Sequence, residues 1–209
     1  SADVPLSPLG EQEAVAAGAY LRAFALSNVF SSPLSRAMYG ATSVLEQQQQ
    51  QQAAEQPDDK EQELIILEGF RELDRGVWYG RTKDEIGADL MNRFDACDES
   101  ITPEKGESYP TLKRRVLQAL KEALVIMQPG QAACVVSHLQ VTRSMLSQAV
   151  GVPVEEMAAL TVATASVTCI DYESKNADTS DSPEYTTTVH FQSFKPNVGL
   201  EQSKDSVNV

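Results

Sequence analysis

The chain has 209 residues, 42% apolar and 22% charged, with a formal net charge of −13. That length supports one domain with its own core, and no apolar run approaches the roughly 18 residues that span a bilayer, which excludes a membrane protein. The acidic balance excludes a nucleic-acid binder, which needs a basic patch, and any anion site must rest on a few local arginines and helix N-termini.

In chain order, Ser7 and Pro8 read as a helix start, serine as cap and proline at the first helical position. Ala14, Ala17, Gly18, Leu21 and Ala25 follow at helical spacing. Residues 28–31 read as a short strand, and after Pro33 a second helix runs towards Leu45. Residues 47–52 are all glutamine. With its polar continuation, the segment from about residue 46 to 62 reads as a flexible insertion, too poor in apolar surface to offset its ordering entropy.

Leu64-Ile65-Ile66-Leu67 is a continuous apolar strand of the kind buried on both faces in parallel sheets. Ser108 caps a strong helix with Leu112, Val116, Leu120, Leu124 and Met127 as its stripe, ended by Pro129-Gly130. Ala132–Val136 is a second continuous apolar strand. A further helix follows His138, with Val141, Met145 and Ala149 on one side and Gly151 beyond. Residues 166–172 and 185–192 read as closing strands that pair antiparallel, joined by a polar connection at 178–182, before a polar tail from about residue 199. Alternating strands and helices predict an α/β fold: a three-layer α/β/α sandwich around a mainly parallel central sheet, in one domain over residues 1–209.

Cys97, Cys134 and Cys169 show no metal-ligand spacing, so no metal is expected. Cys134 and Cys169 sit in apolar runs and read as buried thiols. Their odd count suits a reducing, cytoplasmic compartment.

Two histidines exist. His190 shares the wetter face of its strand with Thr186, Thr188 and Gln192 and reads as a surface residue. His138 stands at the carboxyl end of an apolar strand and the start of a helix, where open α/β sheets bind ligands and a helix N-terminus favours anions. Arg36 opens the helix after the first strand. The helix dipole gives a cation nothing there, whereas the guanidinium fork suits phosphate oxygens. Glu72 follows the strand at 64–67 and precedes Gly76-Val77-Trp78-Tyr79-Gly80, whose aromatic cover would raise a carboxyl pKa and fit it for general-acid work.

The ordered set Pro5-Leu6-Ser7-Pro8-Leu9-Gly10-Glu11, Ser32-Pro33-Leu34-Ser35-Arg36-Ala37, Glu72 to Gly80, Gly106-Glu107-Ser108 with Arg115, and Val135-Val136-Ser137-His138 resembles the histidine-phosphatase (phosphoglycerate-mutase-like) superfamily. The resemblance implies hydrolysis of a small phosphate ester through a phosphohistidine, with no cofactor. It implies that Arg36 clamps phosphate, His138 is the second pocket histidine, and Glu72 protonates the leaving group and helps activate water. Arg71 to Val77 and Lys105 to Tyr109 look most like fructose-2,6-bisphosphatases and broad small-molecule phosphatases. Lys105, Arg143 and Leu139 then become candidate substrate contacts, and a small phosphorylated metabolite the expected partner.

The family's Arg-His-Gly motif, on the first and central strand, is expected upstream of Asp3 and is not in this chain. The resemblance therefore implies an active parent protein and an inactive chain as given, with the first strand missing. The alternatives are a phosphate-binding pseudoenzyme and a mutase, the latter disfavoured by the shortness of residues 84–105. A serine hydrolase has no G-x-S-x-G elbow to support it.

Overall fold

A computed structural model describes residues 3–55, 62–175 and 185–198. Helix α1 (Pro8–Leu21) begins as its sequence dictates, with Ser7 Oγ accepting the Gly10 N–H at 3.1 Å. Strand β1 (Leu26–Ser31) leads into α2 (Ser35–Glu55). The start of α2 is capped across the chain, the Asp3 carboxylate accepting both the N–H and the Oγ–H of Ser35 at 2.8 and 2.7 Å.

Strand β2 (Leu64–Ile66) opens a long connection containing single 3-10 turns at Glu68–Phe70 and Gly76–Trp78, then the short helices α3 (Lys83–Ile86) and α4 (Ala88–Asp95). Helix α5 (Tyr109–Ile126) starts at the Ser108 cap. Strand β3 (Ala132–Val136) runs to His138, the N-cap of α6 (Leu139–Val150), and Gly151 ends α6 in the left-handed conformation. Strands β4 (Val167–Ser174) and β5 (Tyr185–Phe194) close the order.

The first three strands form a parallel sheet in the order β2-β1-β3. Alternation along them sorts side chains onto two faces. Val29, Leu64, Cys134 and Val136 pack with Ala41 and Val44 of α2. Phe30, Ile65, Ala133 and Val135 pack with Leu112, Val116 and Val141 of α5 and α6. Helices therefore cover both faces, as a parallel sheet requires. Strands β4 and β5 pair antiparallel in a separate two-stranded sheet, tied to α6 by a Thr187 hydroxyl donating to the Ala149 carbonyl at 2.8 Å. Among the described residues, β3 pairs only with β1 and β4 only with β5.

Three expectations need correction. The glutamine run is not a loop: α2 continues through it to Glu55, and residues 56–61 lie outside the described part. Glutamine is a good helix former, so an established helix propagates through it. Gln48 is also buried, donating to the Leu21 carbonyl at 2.8 Å and accepting the Leu26 N–H at 3.4 Å. Among the described residues strand β2 is an edge, not a doubly buried strand, and its Ile66 is 49% exposed. Of the cysteines, Cys97 is fully buried, Cys134 packs against the α2-side core with its thiol pushed up to about 12 by burial, and Cys169 alone departs from the expectation, being partly exposed. The predicted connection at 178–182 and the tail from 199 lie outside the described residues.

Candidate active site

Each strand of the parallel sheet delivers one predicted residue beyond its carboxyl end: Arg36 after β1, Glu72 after β2 and His138 after β3. The imidazole of His138 is 8% exposed, and its Nε2 lies 2.7 Å from Ser32 Oγ across 106 positions of sequence. Ser32 is held in turn. Its N–H donates to the Val136 carbonyl at 3.0 Å, and its Oγ accepts the Leu34 N–H at 3.3 Å. The hydroxyl proton of this buried serine then finds its acceptor in His138 Nε2, which places the ring proton on Nδ1. Burial, reinforced by the charges of Arg36, Arg115 and Arg71, pushes His138 down to about 3, so the ring is neutral at pH 7.

Glu72 responds to the same burial in the opposite direction. Desolvation raises its carboxyl above the usual glutamate range. Weaker opposition comes from the Leu73 N–H on Oε1 at 2.8 Å, the Gln140 N–H near Oε2 at 3.5 Å, and the charges of Arg36 and Arg75. Arg36 and Glu72 line one cavity of about 550 Å³ together with Val4, Leu73, Tyr79, Leu139 and Gln140. A fixed cation, a carboxyl biased towards its acid form and the first backbone amides of α6 thus face a common space. That combination can hold an anion and give a proton to a departing oxygen.

Of the candidate substrate contacts, Leu139 lines this cavity, 40% exposed at the first position of α6. Lys105 and Arg143 do not line it, and neither does His138, the buried residue just before Leu139 in sequence. Lys105 sits exposed in a turn at φ 58°, and Arg143 donates through Nε to the Leu160 carbonyl at 3.0 Å. His190 lies on the β4–β5 sheet, bonded to Asp171. Among the described residues, no group of three or more His, Cys, Asp or Glu side chains is placed to hold a metal. Sequence reading gave Ser32 no role, although a serine directly after a strand was a signal for a side chain held at the sheet's end. It also noted Arg115 without a role, and that residue turns out to be a hub of bonds.

Fold and site together define an α/β protein with a cavity lined by Arg36 and Glu72 at the carboxyl edge of a parallel sheet. The chain belongs to the histidine phosphatase superfamily (branch 1), whose family model matches residues 1–181. A relative 34% identical over 119 residues is the fructose-2,6-bisphosphatase TIGAR B of Danio rerio; the match covers 57% of this chain and 43% of that one, so it spans less than half the length of this curated relative. A 2,3-bisphosphoglycerate-dependent phosphoglycerate mutase of Cytophaga hutchinsonii is 28% identical over 177 residues, 83% of this chain and 78% of that one. Among solved structures, a mycobacterial glucosyl-3-phosphoglycerate phosphatase superposes with a TM-score of 0.73 at 22% identity, covering 92% of this chain and 88% of that one. A putative alpha-ribazole-5'-P phosphatase from Escherichia coli gives 0.70 at 23%, covering 96% and 88%. At these identities the structural likeness is one of fold, and it agrees with the predicted α/β architecture.

Proposed function

We propose that this domain hydrolyses a small phosphate ester through a phosphohistidine whose histidine is supplied by polypeptide outside residues 1–209. In this reading Arg36 clamps the phosphoryl oxygens, neutral His138 donates a hydrogen bond to them, and the Glu72 acid protonates the leaving oxygen as the P–O bond breaks. The resulting carboxylate then takes a proton from the water that attacks the phosphohistidine, which restores both groups. The convergence of Arg36, Glu72 and the α6 N-terminus on one cavity carries the reading. The unpaired outer edges of β3 and β4 among the described residues support the added strand, since such edges invite a partner.

A second reading, an anion-binding pseudoenzyme, draws on the histidine inventory. Only His138 and His190 are present in the sequence, and His190 lies on an exposed strand.

One experiment separates the two. The chain is expressed both alone and with the coding sequence that precedes it, then assayed with p-nitrophenyl phosphate, with acid-labile phosphohistidine trapped in parallel. The phosphatase reading expects turnover only in the longer form and at least a 100-fold loss in Arg36→Ala. Binding of orthovanadate by both forms, without turnover by either, overturns it in favour of the pseudoenzyme.

A further inference from the structure

The connection that carries Glu72 is held by an arginine that lies outside the anion cavity. Arg115, on the second turn of α5, spends all five of its N–H donors. Nη1 donates to the carbonyls of Gly69 and Arg71 at 2.8 and 2.7 Å. Nη2 donates to the Glu72 carbonyl at 3.3 Å and to Glu107 Oε1 at 2.5 Å, and Nε donates to Glu107 Oε2 at 3.0 Å. Glu107 extends the hold by accepting the Asp74 N–H at 3.0 Å. Three carbonyls within four residues thus converge on one guanidinium.

The rest of the connection is seated just as closely. Gly76 has φ +50°, and a Cβ there would come within 2.1 Å of the Glu104 carbonyl oxygen. One on Gly106 would approach the Asp74 carbonyl oxygen to 2.5 Å. Only glycine fits at either place, so backbone lies on backbone. The Val77 N–H donates to the Glu104 carbonyl at 3.0 Å and the Glu107 N–H to that of Asp74 at 2.9 Å, closing the seat. Glu72 is therefore divided between two environments. Its carbonyl points to Arg115, while its carboxyl accepts the Leu73 N–H and lines the anion cavity.

We infer that Arg115 is the positioning residue for Glu72, fixing through three backbone carbonyls the place at which that carboxyl meets the substrate. This rests on the reading of Glu72 as the proton donor. Lysine cannot replace arginine, because its three donors on one nitrogen cannot reach three carbonyls and a carboxylate in a plane. Glu107 is the counter-charge that keeps the guanidinium in register, since the ion pair is largely shielded from solvent. The charges acting on the Glu72 carboxyl are those of Arg36 and Arg75, and Arg115→Lys leaves the net charge of the protein unchanged.

The test follows Glu72 directly and needs no turnover. The protein is labelled with side-chain 13C-glutamate, the Glu72 resonance is assigned by its loss in Glu72→Gln, and its titration is recorded with amide exchange at Leu73 and Asp74. In the parent chain Glu72 titrates above the usual glutamate range and both amides are protected. Arg115→Lys is expected to return the titration towards that range and to lower protection at both amides at least 10-fold. Val116→Ala, a buried neighbour on the same helix, is the control: it lowers the melting temperature but leaves both readouts in place. The inference is overturned if Arg115→Lys leaves titration and protection unchanged, or if Val116→Ala shifts them equally. If Glu72 titrates in the usual range in the parent chain, the proton-donor reading fails, while the exchange data still report whether Arg115 holds the loop.

Discussion

The two histidines sit in two regions, each with Nε2 2.7 Å from an oxygen, a serine hydroxyl in one and a carboxylate in the other, and they obtain different chemistry. At the end of β3, His138 Nε2 meets the Ser32 hydroxyl at 2.7 Å inside the molecule. On the β4–β5 sheet, His190 Nε2 meets the Asp171 carboxylate at 2.7 Å in solvent, with the side chains 47% and 67% exposed. Distance does not distinguish them. The difference lies in what surrounds each ring: two packed faces and three arginines around one, water around the other. The burial and the neighbouring charges belong to the parallel region, and the exposed face of the antiparallel pair does not share them.

The largest expected contrast is therefore in stability. Phe30, in β1, is fully buried between the sheet and the α5–α6 face. Phe194, the last residue of β5, is 44% exposed, stacked edge-on against Phe191 and close to Tyr20. Phe30→Ala should cost about 3–5 kcal/mol in urea unfolding, from lost transfer energy and the cavity left behind. Phe194→Ala should cost on the order of 1 kcal/mol. Equal losses would mean that the two sheets share one cooperative core.

Next in size is a pH effect specific to His138. An unfolded histidine takes up a proton near 6.5, whereas the folded ring stays neutral down to about 3. Between those values the unfolded state binds more protons, so stability falls as the pH is lowered from 6.5. At pH 5 the loss relative to pH 8 amounts to about 2 kcal/mol. Glu72 acts with the opposite sign, because its raised pKa makes the folded state the better proton binder just above the usual glutamate range. The difference between parent and His138→Gln stability curves isolates the histidine, and it should shrink as the pH falls. A difference that is constant from pH 8 to 5 would show that the buried ring does not resist protonation.

Much of this was legible in the sequence, for reasons that also explain what was not. The bounds of β3, the Ser7 and Ser108 caps and the start of α6 rest on local signals: continuous apolar runs, capping residues, and a glycine after a periodic segment. The position of Arg36, Glu72 and His138 beyond the strands of one sheet was legible from chain order together with the family-like segments that contain them. Arg115 was not, because most of its partners are backbone carbonyls, which every residue has and no sequence advertises. Composition misled at the glutamine run. Low apolarity argued for a loop, but helix propensity and one buried carboxamide decided otherwise.

That buried carboxamide gives a smaller contrast. Gln48 serves the Leu21 carbonyl and the Leu26 N–H, whereas Gln50 is exposed. Gln48→Leu removes the partner of the Leu26 N–H, while the Leu21 carbonyl keeps the Phe24 N–H at 3.0 Å, and should cost about 1–3 kcal/mol. Gln50→Leu should stay within about 0.5 kcal/mol. If the two variants melt together, the run is held by helix propagation alone.

The smallest effect belongs to His190. Its bond to Asp171 crosses β4 and β5 next to the directly opposed pair Asp171 and Thr188, on the face turned to water. An exposed pair of this kind contributes roughly 0.2–1 kcal/mol. His190→Gln should therefore lower stability by no more than that, an effect that 0.5 M salt reduces. This runs against His138→Gln, whose stability difference from the parent chain is set by burial and survives salt. The two substitutions, the same change at bonds of the same length, thus test whether surroundings rather than contact distance divide the two regions. A salt-sensitive response at His138, or a salt-resistant one at His190, would erase that division.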